Sequence, residues 1–168
     1  MPTDIEAMRM GEIEYREAVR QDEDALVDLW WEMQSSHHQY EPKWYADKGE
    51  QECKATWRQH LAELLADENA VVVVAVALRT PVGMIVDRFG TRPPIYRTVK
   101  SVRIDSTVVR PDFRRQGIFR GMLGFLEARA REAGINAVQL NVEKENPARH
   151  AYEKTGFTPR MESMLKWL

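Results

Sequence analysis

The spacing of apolar residues changes period several times along the chain, and each change marks an element. Ile13 to Ala18 alternates at the two-residue repeat of a strand. Asp22, Glu23 and Asp24 then place negative charge where a helix dipole favours it, and Leu26, Leu29, Trp30 and Met33 follow at helical spacing. Ser35 to Lys48 breaks that period and reads as a loop rich in histidine and aromatic residues. A second helix is predicted from about Glu50 to Ala66, with Cys53, Trp57, Leu61, Leu64 and Leu65 on its apolar face. Val71 to Ala77 is continuous and β-branched, the pattern of a buried strand. Pro81 to Phe89 and Val99 to Val109 read as two more strands, joined through Gly90-Thr91-Arg92-Pro93-Pro94. A helix follows Arg114-Arg115-Gln116-Gly117 and runs to about Ala133, with Gly134 as its stop. Ala137 to Val142 reads as a strand, Asn146-Pro147 opens a short helix ending at Gly156, and Phe157 to Trp167 reads as a last strand. The order β α α β β β α β α β predicts an α/β (α+β) fold, one sheet with helices on both faces.

Composition adds limits. The 168 residues suit one domain, here residues 12–168 behind a mobile lead-in of 1–11, and 43% hydrophobic with 30% charged residues is ordinary globular usage. A single cysteine, Cys53, excludes an internal disulfide framework and a cysteine-only zinc cluster. The longest apolar run, Ala70 to Leu78, is strand-sized, and the first residues lack a signal-peptide pattern, so a cytoplasmic protein with no membrane partner is expected. The net charge of −2 conceals a split. Residues 1–70 hold 17 acidic and 7 basic side chains, whereas residues 71–168 hold 9 and 17. Such a chain can draw a cation to one part and an anion to the other, unless folding mixes the halves over one surface.

The sharpest local pattern is Val109-Arg110-Pro111-Asp112-Phe113-Arg114-Arg115-Gln116-Gly117-Ile118-Phe119-Arg120. A strand ends, a basic turn with a glycine follows, and a helix begins. Helix N-termini leave N–H groups unpaired, and with the dipole those groups bind phosphate. Arg114, Arg115 and Arg120 add charge, or else form a solvated basic face. No Gly-Lys-Ser/Thr is present, and Gly117, Gly121 and Gly124 do not form a dinucleotide fingerprint. Close helix–sheet packing is the simpler expectation for Gly121 and Gly124.

A second segment, Asn146-Pro147-Ala148-Arg149-His150-Ala151-Tyr152-Glu153-Lys154-Thr155-Gly156-Phe157, follows at the matching distance. With these two pieces in this order the chain resembles the GNAT N-acetyltransferase superfamily, over nearly its whole length. The resemblance implies a mixed, mostly antiparallel central sheet and acetyl-CoA as co-substrate. Arg114 and Gly117 match the signature turn, whereas Phe119 stands where the family usually has a small residue. The resemblance further implies that the amides of Gln116, Gly117, Ile118, Phe119 and Arg120 hold the pyrophosphate. Val108 to Arg110 would pair with the pantetheine arm, and the Val109 amide would polarise the thioester carbonyl. Asn146 matches an asparagine near the coenzyme and also reads as an N-cap ahead of Pro147. Tyr152 matches the tyrosine facing the coenzyme sulfur, a general acid, against a plain reading as a core aromatic.

The base is more open. On one regular strand Val102, Ile104 and Val108 would share a face and Asp105, Thr107 and Val109 the other. Asp105 lies where some relatives carry their base, but a salt bridge to Arg103 or Arg97 serves equally. Glu143, after the next strand, is the second candidate. His37, His38, Tyr40, Trp44 and Tyr45 crowd a loop that borders the acceptor site in the family, and such residues can bind an amine or merely close the core. Zinc on His37, His38 and His60 lacks supporting ligand spacing. Cys53 reads as core and His150 as solvent-facing. The implied activity is direct acetyl transfer from acetyl-CoA to a primary amine of a small molecule or peptide. The alternatives are a non-catalytic acyl-CoA-binding protein of the same fold and, with no motif in its favour, a nucleic-acid module. Relatives often dimerise through strands, which the terminal segment Met161 to Trp167 would allow.

Overall fold

The structure, a computed structural model, describes residues 13–91, 94–95, 97 and 100–168. The lead-in 1–11, the start of the predicted strand at Val99 and part of the Gly90–Pro94 connection lie outside the described residues. The elements are β1 (Glu14–Glu17), α1 (Glu23–Ser35), α2 (Glu50–Ala66), β2 (Ala70–Ala77), β3 (Thr80–Thr91), β4 (Lys100–Val109), α3 (Ile118–Glu132), β5 (Val138–Leu140) and α4 (Arg149–Lys154). The five strands form one sheet in chain order, antiparallel except for the parallel β4–β5 pair.

Both faces of the sheet are covered because β2 is apolar at every position. Val71, Val73, Ala75 and Ala77 point to one side, where Ile118, Met122, Leu126 and Ala130 of α3 close over them. Val72, Val74 and Val76 point to the other, against Leu26, Leu29, Trp57, Leu61 and Leu64 of α1 and α2. A strand with period-two exposure on neither face needs this double cover. Trp30 stacks on Trp57 with ring centroids 4.9 Å apart, joining α1 to α2. Asp22 turns back from the start of α1 to accept two hydrogen bonds from Arg16, at 2.7 and 2.9 Å, which ties the helix to β1.

Four expectations change. Residues 157–168 form no strand. Their apolar positions do not alternate cleanly, Met161 and Met164 are exposed, and Trp167 instead meets Trp44 edge-on at 6.2 Å beneath the Lys43 ammonium. The loop 35–48 opens with a 3-10 turn at Ser36–Gln39. β3 continues to Thr91, because Gly90 and Thr91 pair with Ser101 and Lys100. β4 is not one regular strand: Val86 pairs with Ser106 and Asp87 with Ile104, which leaves Asp105 as the extra residue of a bulge. The bulge flips the side chains beyond it. Val102 and Ile104 face α3, whereas Val108 joins the core under α1 and α2, so the three do not share a face. No helix among the described residues is long and apolar enough to cross a membrane.

Candidate active site

Past the bulge an opening lies between β4 and the edge strand β5. Pairing of β4 with β5 ends at Ile104 and Leu140, yet β4 runs on to Val109. The Arg110 N–H donates to the Val82 carbonyl at 2.9 Å, on the β3 side. Strand alternation therefore sends the N–H and C=O of Thr107 and Val109 to the opposite, open edge. The Arg114 Nε donates to the Val109 carbonyl at 2.8 Å, so of the two Val109 groups the N–H is left facing the opening.

From Val109 the chain turns through Pro111–Phe113 into α3. Gly117 sits at φ +79° with nothing within 4 Å of the Cβ it lacks, so its need is conformational and not steric. Gly121 is the first residue whose N–H bonds back in this turn, to the Gly117 carbonyl at 3.0 Å. The N–H groups of Ile118, Phe119 and Arg120 precede it and have no helical acceptor. The charges divide. Arg110 pairs with Asp112 at 3.1 Å, Gln116 donates to the Asp112 carbonyl at 3.0 Å, and Arg114 also lies 3.7 Å from Glu32. Arg115 and Arg120 are exposed and have no acidic partner among the described residues. Gly121 packs as expected, since a Cβ there would lie 2.1 Å from the Tyr15 ring. Gly124 does not; it faces open space in a groove with Arg120, Glu127, Lys154 and Thr155.

Tyr152 is buried beside this turn, 8% exposed, with its ring edge-on to Phe119 at 5.3 Å and to Phe157 at 6.0 Å. The bulky Phe119 thus packs into the core against Tyr152. Burial, with a smaller push from Tyr40, raises the Tyr152 hydroxyl to about 12. α4 begins at Arg149 and not at Pro147. Asn146 accepts from the Ala148 N–H at 2.9 Å, closing a turn just ahead of the helix in place of a direct N-cap.

The loop between α1 and α2 reaches the same place. The Tyr45 hydroxyl donates a short hydrogen bond to Oε1 of Glu143, across 98 residues of chain. The His37 ring lies 5.1 Å from that of Tyr45 and 5.8 Å from that of Tyr40. Burial lowers the His37 pKa and the nearby Glu143 opposes the shift. Burial first, then the Glu143 hydrogen bond, pushes Tyr45 up to about 12. His37, Tyr40, Tyr45, Glu143 and Tyr152 therefore form one cluster. Tyr45 stood among the aromatic residues of that loop in the sequence, but nothing there marked its pairing with Glu143, 98 residues away.

Other candidates sit elsewhere. Asp105 is 3.0 Å from Arg103 and 3.5 Å from Arg88, and Arg88 donates to His60 Nε2 at 3.1 Å. His38 pairs with Asp47 at 2.9 Å on the surface. Trp44 is 57% exposed and shares its face with Trp167. His150 is exposed, and Cys53 is half-buried on α2. Among the described residues no three metal-ligating side chains converge. Asp87 was missed: it is fully buried, and neither carboxyl oxygen has a hydrogen-bond partner. A lone acid within Val82–Val86 and Phe89 was its only signal.

The family model of the acetyltransferase (GNAT) family matches residues 23–157, which span α1 to α4, the turn and every strand of the sheet but β1. The chain belongs to this family. Solved structures agree with the fold. A tetramutant of the BH1408 protein from Bacillus halodurans superposes with a TM-score of 0.82 at 20% identity, over 92% of this chain and 99% of that one. A predicted acetyltransferase of Clostridium acetobutylicum, solved with acetyl-CoA, gives 0.71 at 25% identity over 92% and 96%. An aminoglycoside N-acetyltransferase, AAC(6')-Iy, solved with CoA, gives 0.70 at 11% identity over 92% and 98%. No curated protein matches by sequence. Acetyl-CoA is the co-substrate of this GNAT acetyltransferase, and the site fits it: an open strand edge for an amide-bearing arm, then free helix amides with Arg115 and Arg120 for its phosphates.

Proposed function

We propose that this acetyltransferase works in the cytoplasm and moves the acetyl group to a primary amine by direct attack, with both substrates bound together. One observation carries the reading: β4 runs on past its pairing with β5 and leads into the anion-binding turn, whose Phe119 packs edge-on against Tyr152. Acetyl-CoA supplies an activated acyl group, and the residues supply positioning and proton handling. Val108, Val109 and Arg110 align the coenzyme arm. The amides from Gln116 to Arg120 and the side chains of Arg115 and Arg120 hold its phosphates, Arg114 holds the turn, and Asn146 fixes the approach to α4. The Val109 N–H donates to the thioester oxygen as negative charge gathers there.

An ammonium must lose a proton before it attacks. Glu143 is placed to take it, because Asp105 is occupied by two guanidiniums. His37 and Tyr40 border that carboxylate and line the approach of the acceptor, whereas His38 and Trp44 stand apart on the surface of the same loop. Tyr152, raised to about 12, stays protonated. A thiol has a pKa of about 8.5, so a tyrosine this weak hydrogen-bonds the departing sulfur and keeps its proton. The departing thiolate is instead protonated by the nitrogen that has just attacked.

The test is thiol release from acetyl-CoA with a panel of polyamines, an aminoglycoside, free amino acids and a peptide N-terminus. Release that depends on an amine, lowered about a hundredfold in Tyr152→Phe, is expected. Coenzyme binding with no release for any amine would leave an acyl-CoA-binding protein without transfer.

A further inference from the structure

Tyr45 belongs to the loop between α1 and α2, whereas Glu143 follows β5, and a single hydrogen bond joins them. We propose that Tyr45 is a positioning residue: by donating to Oε1 of Glu143 it fixes that carboxylate so that Oε2 faces an aromatic cradle which selects cationic amines without a neighbouring carboxylate. This rests on the transfer reading above and names its acceptor class.

Three observations support it. The Tyr45 hydroxyl is held strongly in its protonated form by burial and by Glu143, so it is a donor at every physiological pH and does not compete as an anion. His37 is the one ionisable base of the cluster, and burial lowers its pKa, which leaves Glu143 as the formal charge among His37, Tyr40, Tyr45, Glu143 and Tyr152 at neutral pH. The His37 ring lies 5.8 Å from that of Tyr40 and 5.1 Å from that of Tyr45, and aromatic faces attract a cation. An amine bearing its own carboxylate would bring a second negative charge to the same oxygen. A carboxylate on a free side chain would also lose rotamer freedom on binding, and the Tyr45 bond removes that cost beforehand.

The experiment uses the full chain loaded with CoA, and 1,4-diaminobutane and alanine as probes. Amine binding is read by calorimetry and transfer by thiol release with acetyl-CoA. Tyr45→Phe keeps the ring against His37 and removes only the donor. It is expected to raise both the Kd and the KM for diaminobutane about tenfold and to lower kcat as well, because the same carboxylate is the base, with CoA affinity unchanged. Glu143→Gln keeps an acceptor for Tyr45 and removes the charge; it is expected to abolish the preference for diaminobutane over alanine while the loop stays folded. The double variant should bind no worse than Glu143→Gln alone, because the hydroxyl acts through the carboxylate. Unchanged diaminobutane affinity in Tyr45→Phe, multiplying effects in the double variant, or equal affinity of the parent for alanine would each overturn the proposal. Binding of diaminobutane without transfer would sink the catalytic reading and leave this one standing.

Discussion

Asp87 offers a sharp physical test of the fold. Its carboxyl group is fully buried on the α3 side of β3, with both oxygens unpartnered, and desolvation together with Asp105 and Glu17 pushes it up to about 8. The unfolded carboxyl titrates near 4, so the folded chain holds a proton that the unfolded chain has released. A raised folded pKa means that stability is fully present below about pH 4, falls as pH rises toward 8, and levels off above. Four units at about 1.36 kcal/mol each set the loss at roughly 5 kcal/mol, a large share of the 5–15 kcal/mol typical of a domain. Asp87→Val suits a buried strand and removes the titration. Urea denaturation from pH 5 to 9 should show the parent losing several kcal/mol that the variant retains, with the two curves converging toward pH 5. Parallel curves would refute the reasoning, since they would mean that Asp87 is ionised or hydrated within the fold.

Further outcomes follow from particular contacts. Gly121→Ala drives a methyl into the Tyr15 ring and should cost about 1–3 kcal/mol in chemical denaturation, whereas Gly124→Ala meets nothing and should gain about 0.5–1 kcal/mol. Arg115→Ala with Arg120→Ala should raise the acetyl-CoA KM about tenfold or more, in a salt-dependent way, with the melting temperature little changed. Arg114→Ala should also lower the melting temperature, because its side chain holds the Val109 carbonyl. Replacing Glu41, Asp47, Glu50 and Glu52 by their amides should raise the KM of a cationic acceptor and spare coenzyme binding; equal effects on both would show that the charge split has no bearing on the acceptor.

Periodicity carried most of this fold because its core elements are long and uniform. The unbroken β-branched run of β2 announces a strand covered on both faces, and α3 announces itself by a left-handed glycine before an apolar stripe. The misreadings have local causes. The bulge at Asp105 inserts one residue that no periodic template contains, so the face of Val108 came out reversed. Residues 157–168 are apolar enough for a strand, yet pairing is a long-range choice, and Trp167 settles against Trp44. The site was legible as two motifs, which place the anion-binding turn and Tyr152. Which acid would face the acceptor was not legible. Asp105 and Glu143 look alike in sequence, and only the fold gives one of them two arginines and the other a tyrosine from a distant loop.

The central claim is that transfer takes place between the open edge of β4 and the Tyr152–Glu143 cluster. A crystal structure with acetyl-CoA and a bound amine tests it most directly. The account predicts the thioester oxygen within hydrogen-bond reach of the Val109 N–H, the sulfur beside the Tyr152 hydroxyl, and the amine nitrogen against Oε2 of Glu143. A coenzyme seated with its sulfur away from Tyr152, or an amine held by Asp105 instead, would contradict it.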